Sequence, residues 1–291
     1  MNRNSDNQSF THDNAPLVSV VIPSYNRSRV ITDSVRSVLD QSYPNLELFV
    51  VDDGSTDDTK KVLEEIRDPR LHYVYQENQG ACAARNHGAS LAAGDFVAFH
   101  DSDDLWHADK LEIEMQAMLE HKADVVICKQ IHILPDGTTR LTPKRIGEGF
   151  LTQTDDLHGI GTQTILTRKA VLEKEAFDPA MPRLQDLEWL YRVRKHYRIY
   201  CVAQGLVDYI VGEDSITTNH EKRYRAILTF LEKHGEARRE QPVLCLHMIK
   251  DLLESWQAVR RTHPEESRKY LLLIRRLFPG IGALLRTLLR R

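Results

Sequence analysis

Leu17-Val18-Ser19-Val20-Val21-Ile22-Pro23-Ser24-Tyr25-Asn26 is the stretch that decides the fold. Its first six residues are rich in β-branched side chains and almost continuously apolar, the pattern of a strand buried on both faces of a parallel sheet. Pro23 to Asn26 then break the run. The alternation repeats downstream. Ser28 to Gln41 has helical spacing through Val30, Ile31, Val35, Val38 and Leu39, Leu46 to Val51 returns to strand, and Asp52-Asp53-Gly54-Ser55 is the next turn. Thr56 to Ile66 reads as a helix, Leu71 to Tyr75 as a strand, Gly80 to Ala93 as a helix and Asp95 to Phe99 as a further strand. Short links between alternating strands and helices predict an α/β domain with a mainly parallel sheet.

In such a sheet ligands collect at the carboxyl ends of the strands. Three turns share that edge: Pro23 to Asn26, Asp52 to Ser55, and the end of Gly94-Asp95-Phe96-Val97-Ala98-Phe99-His100-Asp101-Ser102-Asp103-Asp104. The last places three carboxylates within four residues. Their mutual repulsion is offset if a hard divalent cation sits among them, and Mn²⁺ or Mg²⁺ held by one or two carboxylates completes its shell with substrate phosphates. The alternative is an acidic turn capping the helix that starts near Ala108. Convergence on one edge favours a nucleotide-diphosphate site.

The remainder sets bounds. A chain of 291 residues with 41% apolar and 28% charged residues is an ordinary globular composition, large enough for a full core. A net charge of −3 gives no reason to expect nucleic acid. That charge is unevenly spread: Arg268 to Arg291 hold seven Lys or Arg and no acid, so residues 1–267 carry −10. Cys82, Cys128, Cys201 and Cys245 have no metal-ligand spacing and read as reduced residues of a cytosolic protein. Residues 1–16 are polar, without the apolar core of a signal peptide, and no run reaches the roughly 18 to 20 apolar residues of a spanning helix. Residues 109–122 are helical with Leu111, Met115, Met118 and Leu119 on one face; Ala123 to Cys128 is a strand; residues 142–158 read as a loop, either a mobile active-site loop or an ordinary surface one. From Asn219 the chain reads as helical, with Leu244, Met248, Ile249, Leu252, Leu253 and Trp256 as a core stripe.

Val18 to Arg27, Val51-Asp52-Asp53-Gly54-Ser55-Thr56-Asp57, Ala84-Arg85-Asn86-His87-Gly88 and Phe99 to Asp104, in this order and spacing, resemble the family 2 glycosyltransferases. The resemblance covers residues 17–215. It implies a GT-A fold with a mainly parallel central sheet over residues 17–218, a nucleotide-sugar donor, a divalent metal (Mn²⁺ or Mg²⁺) and transfer with inversion. Residues 219–291 are then a helical C-terminal extension.

The family's roles, placed on matching positions, put the donor on Pro23, Tyr25, Asn26, Asp53, Arg85, Asp101 and Ser102. Tyr25 would stack on the base, Asp53 accept from its imide N–H, Arg85 face the diphosphate and Asp101 the ribose side. Asp53 could also cap the helix that starts near Thr56, and a carboxylate at a base edge favours uracil, thymine or guanine over cytosine or adenine, with a UDP-sugar the favoured donor. Asp103 becomes the metal ligand, and Asp104 an orienting or helix-capping residue. In Leu184-Gln185-Asp186-Leu187-Glu188-Trp189, Asp186 takes the place of the catalytic base, with a helix N-cap as its alternative. Two positions depart from the family: Gln185 stands where Glu is usual, and Gly212 where a His often serves the metal or diphosphate. Glu213 and Asp214 read as a solvated turn; His100 and His107 are not expected to be ligands.

At the basic end, Ile274, Leu277, Phe278, Ile281, Leu284, Leu285, Leu288 and Leu289 share one helical arc, roughly 140° wide at 100° per residue. All the arginines from 275 onward lie outside it. An anionic membrane surface suits such a segment, which could instead dock on the domain or on a second subunit. The expectation is therefore an inverting, cytoplasmic glycosyltransferase, peripheral on the inner face of the membrane. It would transfer a sugar to a glycan or lipid-linked acceptor in cell-surface polysaccharide synthesis. A sugar nucleotidyltransferase and a non-catalytic sugar-nucleotide-binding protein are the alternatives. The first would need a Gly-rich basic phosphate loop that Pro23-Ser24-Tyr25-Asn26 does not provide.

Overall fold

A computed structural model describes residues 10–11, 14–210 and 219–277. The expectations for residues 1–9, for Gly212, Glu213 and Asp214, and for the chain beyond Leu277 lie outside the described residues.

The first half alternates as the sequence predicts: β1 (Val18–Ser24), α1 (Ile31–Leu39), β2 (Leu46–Asp53), α2 (Thr59–Glu64), β3 (Leu71–Gln76), α3 (Ala81–Leu91) and β4 (Phe96–Phe99). Then come β5 (Leu105–Trp106), α4 (Lys110–Glu120), β6 (Val125–Ile133), β7 (Thr139–Thr142), β8 (Gly149–Phe150), a 3₁₀ turn at Thr162–Thr164, β9 (Ile165–Arg168), α5 (Lys169–Leu172), α6 (Gln185–Val193) and β10 (Ile199–Ile210). The helices α7 (His220–Lys233), α8 (Ala237–Glu240), α9 (Pro242–Val259) and α10 (Pro264–Leu277) follow.

All main strands lie in one sheet, in the order β3-β2-β1-β4-β9-β6-β10-β5. β1 runs parallel to both neighbours, with Val18 opposite Leu46 and Phe96, so the turns after β1, β2 and β4 open on the same edge. β9 is reversed between β4 and β6, while β6 and β10 are parallel to each other. All seven residues of β1 are buried, as its apolar run requires. Side chains alternate across it: Val18, Val20 and Ile22 pack with Ile31, Val35, Leu111 and Met115 on one side, and Val21 packs with Cys82, Ala84 and Trp189 on the other. This second core continues through Phe230, Trp256, Tyr270, Ile274 and Leu277, so the helices after Asn219 rest on the face that carries α3 and α6.

Two boundaries differ from expectation for local reasons. α2 begins at Thr59 instead of Thr56, because the Thr56 N–H donates across to Asn26 Oδ1 at 2.8 Å while Asp57 Oδ1 receives the Thr59 N–H at 3.0 Å. β6 runs on past Cys128 to Ile133 because β10 and β7 pair with that extension.

Candidate active site

The first two turns are laced into one surface. Pro23 is buried opposite Val51, and Tyr25 stands 48% exposed at the strand's end. Asn26 adopts a left-handed φ of 52°, which Asn tolerates better than most residues. Its N–H donates to Ser55 Oγ at 2.8 Å and its Oδ1 accepts from Thr56. The side-chain carbonyl of Asn26 thus joins the two turns, and its Nδ2 is the group left for the expected donor contact.

Asp53 is buried and saturated on one oxygen. Oδ1 accepts from Gln76 Nε2 at 2.7 Å and from the Gln79 N–H at 2.8 Å, and Oδ2 accepts from the Gly80 N–H at 2.8 Å. These bonds head α3, which corrects the expectation that Asp53 caps the helix near Thr56. A carboxylate offers about four acceptor positions, so Oδ2 retains capacity for one more donor.

The acid turn follows β4. Asp101 is held through its carbonyl by Ser34 Oγ at 2.8 Å, and its Oδ1 meets Arg85 Nη2 at 2.7 Å and Thr162 Oγ1 at 3.3 Å. Ser102 is buried in the turn. Asp103 points outward with 48% of its side-chain surface open, 3.4 Å from Arg27 Nη2. Partial loss of water on its protein-facing side, and then the charge of Asp101, push its carboxyl above the ordinary range against the pull of Arg27. Asp104 is buried; burial and the charges of Asp101 and Asp103 push its carboxyl well above that range. Its Oδ1 receives the Ile210 N–H at 3.1 Å, tying the end of β10 to the acid turn. Asp104 therefore does not cap α4, whose Leu111 N–H donates to Gln41 Oε1 at 2.9 Å. His100 is fully buried against Trp106, and His107 Nε2 pairs with Asp208 at 3.0 Å, so neither joins the acids.

Arg85 connects this turn to the second acidic station. Only 5% exposed, it donates from Nη2 to Asp101 and from Nη1 to Gln185 Oε1, both at 2.7 Å. Arg85 is therefore a buried clasp between two elements and not a solvated helix side chain. α6 begins after Leu184, whose φ of 58° turns the chain sharply, and Asp186 lies in its first turn. Loss of water around the half-buried Asp186 carboxyl pushes it up to about 6, opposed by the Leu187 N–H at 2.7 Å and the Arg85 charge, and reinforced by Asp101. A carboxylate poised there can take a proton near neutral pH.

The donor set fits a hard divalent cation. Asp101 and Asp103 offer carboxylate oxygens one residue apart, and their like charges are unfavourable alone. Among the described residues no three His, Cys, Asp or Glu converge in ligand geometry. A pair of carboxylates is compatible with Mn²⁺ or Mg²⁺ completing its shell from a bound diphosphate.

Thr162 and Arg27 reach the acids without having been assigned a role from the sequence. Arg27 could have been found, since it ends the Pro23-Ser24-Tyr25-Asn26-Arg27 turn. Thr162 carries no local signal; it arrives through the reversed strand β9.

The model of Glycosyl transferase family 2 matches residues 19–179. The putative teichuronic acid biosynthesis glycosyltransferase TuaG of Bacillus subtilis is 38% identical over 216 residues, 71% of this chain and 84% of that one. The Escherichia coli UDP-Glc:alpha-D-GlcNAc-diphosphoundecaprenol beta-1,3-glucosyltransferase WfgD is 32% identical over 214 residues, 72% of this chain and 83% of that one. Among solved structures, residues 1–349 of S. aureus TarS superpose with a TM-score of 0.65 at 21% identity, covering 88% of this chain and 78% of TarS. The chain belongs to glycosyl transferase family 2, and its central sheet is that of the GT-A fold.

Proposed function

We propose that this chain is an inverting glycosyltransferase that moves a sugar from a UDP-sugar to a glycan or lipid-linked acceptor in cell-surface polysaccharide synthesis. The observation that carries the reading is the Arg85 bridge, which brings the donor-side acid Asp101 and the helix end bearing Asp186 together. One station serves the leaving group and the other the nucleophile, the division a single displacement requires.

Tyr25 offers an open ring on which a base can stack, and Asp53 Oδ2 has room to accept a ring N–H, which suits uracil, thymine or guanine over cytosine or adenine. WfgD uses a UDP-sugar, and TarS has been solved with UDP-GlcNAc, which supports the same donor class. Asp103, with Asp101 beside it, would hold Mn²⁺ or Mg²⁺, which when bound offsets negative charge on a departing diphosphate. Arg85 lies at the same edge and orients Asp101. Asp186 accepts the proton of the acceptor hydroxyl as its oxygen attacks the anomeric carbon, and a base positioned this way contributes about 10² to 10⁴ in rate.

The acceptor class follows the relatives: TuaG and the amylovoran glycosyltransferase AmsB of Erwinia amylovora are named for surface polymers, and WfgD for a lipid diphosphate. No helix among the described residues is long and apolar enough to cross a membrane. We assign membrane contact to the segment after Leu277, whose sequence carries Arg286, Arg290 and Arg291 and no acid.

D186N tests the reading. It should retain UDP binding, measured by calorimetry with Mn²⁺, and lose at least about 100-fold in transfer from a panel of UDP-sugars. Undiminished transfer would remove Asp186 from the mechanism, and no transfer by the wild-type chain would favour a non-catalytic sugar-nucleotide-binding protein.

A further inference from the structure

We propose that Gln185 is a positioning residue: it clasps Arg85 without cancelling its charge, so that one guanidinium holds the donor-side acid Asp101 and still acts on the base Asp186. The inference rests on Asp186 being the base, and goes beyond that reading by giving the residue before it a separate task.

The geometry is specific. Arg85 is buried, and its two terminal nitrogens each have one acceptor at 2.7 Å, Gln185 Oε1 and Asp101 Oδ1. Its Nε has no partner among the described residues, so these two bonds fix the plane of the group. Gln185 is itself oriented, because its Nε2 donates to the Met181 carbonyl at 3.2 Å and leaves Oε1 to face Arg85. A glutamate here would satisfy the same Arg85 donor. It would also set a second anion against the guanidinium and place a like charge on the residue next to Asp186. The neutral amide keeps the clasp and omits the charge.

Other charges facing Asp186 do not substitute for this one. From α3 come Arg85 and the neutral thiol of Cys82, from the acid turn Asp101, and from the segment before α6 Arg183, which also feels Arg223 and Asp251. On its own helix, Glu188 is committed to Arg192 and His234, at 2.8 and 2.9 Å. Arg85 is thus the cation bonded to the residue beside Asp186, and Gln185 determines how much of its charge remains effective.

The test reads Asp186 directly. Carboxyl ¹³C signals of the full chain, labelled at aspartate and free of metal and nucleotide, are titrated from pH 4 to 9, with D186N identifying the Asp186 resonance. An added carboxylate on the neighbouring residue is expected to raise its midpoint by about one pH unit in Q185E. R85Q, which removes the cation, should raise it similarly, whereas Q185A, which removes the clasp but no charge, should move it by less than half as much. The acid limb of kcat/KM for transfer should shift with the midpoint in Q185E. Identical midpoints in wild type and Q185E would overturn the proposal, and should Q185E not fold, an unmoved midpoint in R85Q does the same. Failure of the wild-type chain to transfer any sugar would count against the glycosyltransferase reading alone, leaving the NMR result to stand or fall separately.

Discussion

Asp186 is held in the folded chain at a cost that its proposed task explains. With its carboxyl pushed up to about 6, it binds a proton more readily folded than unfolded. The sign follows by linkage: there is no penalty below the unfolded value near 4, a growing one as pH rises toward 6, and a full one above it. The shift corresponds to about 3 kcal/mol, discounted to roughly 1 to 2 kcal/mol because the group is partly exposed. D186N should therefore make the chain more stable at pH 7 by that amount while abolishing transfer, and the gain should shrink at pH 4. Urea denaturation at the two pH values measures it; a gain equal at both would show that the ionised carboxylate is not what costs stability. The same titration predicts that transfer falls tenfold per pH unit on the acid side of about 6, as the base becomes protonated.

At the scale of elements, α3 does most to assemble the site, since Asp53 binds the two backbone N–H groups just before it and Arg85 leaves its middle. Gly88 sets its distance from the sheet. A Cβ there would collide with the Val21 methyls and press on Val51 at 3.1 Å. Gly88→Ala gains about 1 kcal/mol of helix propensity, but the overpacking costs about 1 to 3 kcal/mol and displaces Arg85 as well. The collision should win: a lower Tm together with weaker UDP binding is expected, and a higher Tm would mean that α3 can lift without loss. Much of this level was legible in the sequence. The β-branched run from Val18 and the recurring turns predict the parallel half of the sheet, and the acids at 53, 101, 103 and 186 stand out in the sequence as candidates. The alternative role for Asp53, a cap near Thr56, follows sequence proximity, whereas the bonds are made to Gln79 and Gly80 after a whole further strand. The reach of Arg85 across 100 residues to Gln185, and of Thr162 across 61 to Asp101, depends on strand order that no local pattern carries.

Over the whole molecule, charge and apolar surface are divided between the ends. The acidic body holds the site, and the basic end was expected to meet a membrane from Arg268 onward. The structure moves that boundary: Tyr270, Leu271, Leu273, Ile274 and Leu277 are buried in the core shared with α9, so the apolar arc begins as packing of the domain against itself. Leu272, 66% exposed, is the exception along α10. Two truncations should then behave differently. Ending the chain after Ser267 removes five core side chains, each contributing about 1.5 to 3 kcal/mol on burial, and should unfold the helices that support α6. Ending it after Leu277 spares them and removes only Arg286, Arg290 and Arg291 from the charge, about 1 kcal/mol each at an anionic surface. The shorter deletion should keep the wild-type Tm and UDP binding and sediment less with phosphatidylserine vesicles at moderate salt. Sedimentation equal to the full chain would place the membrane contact, if there is one, on residues before 278.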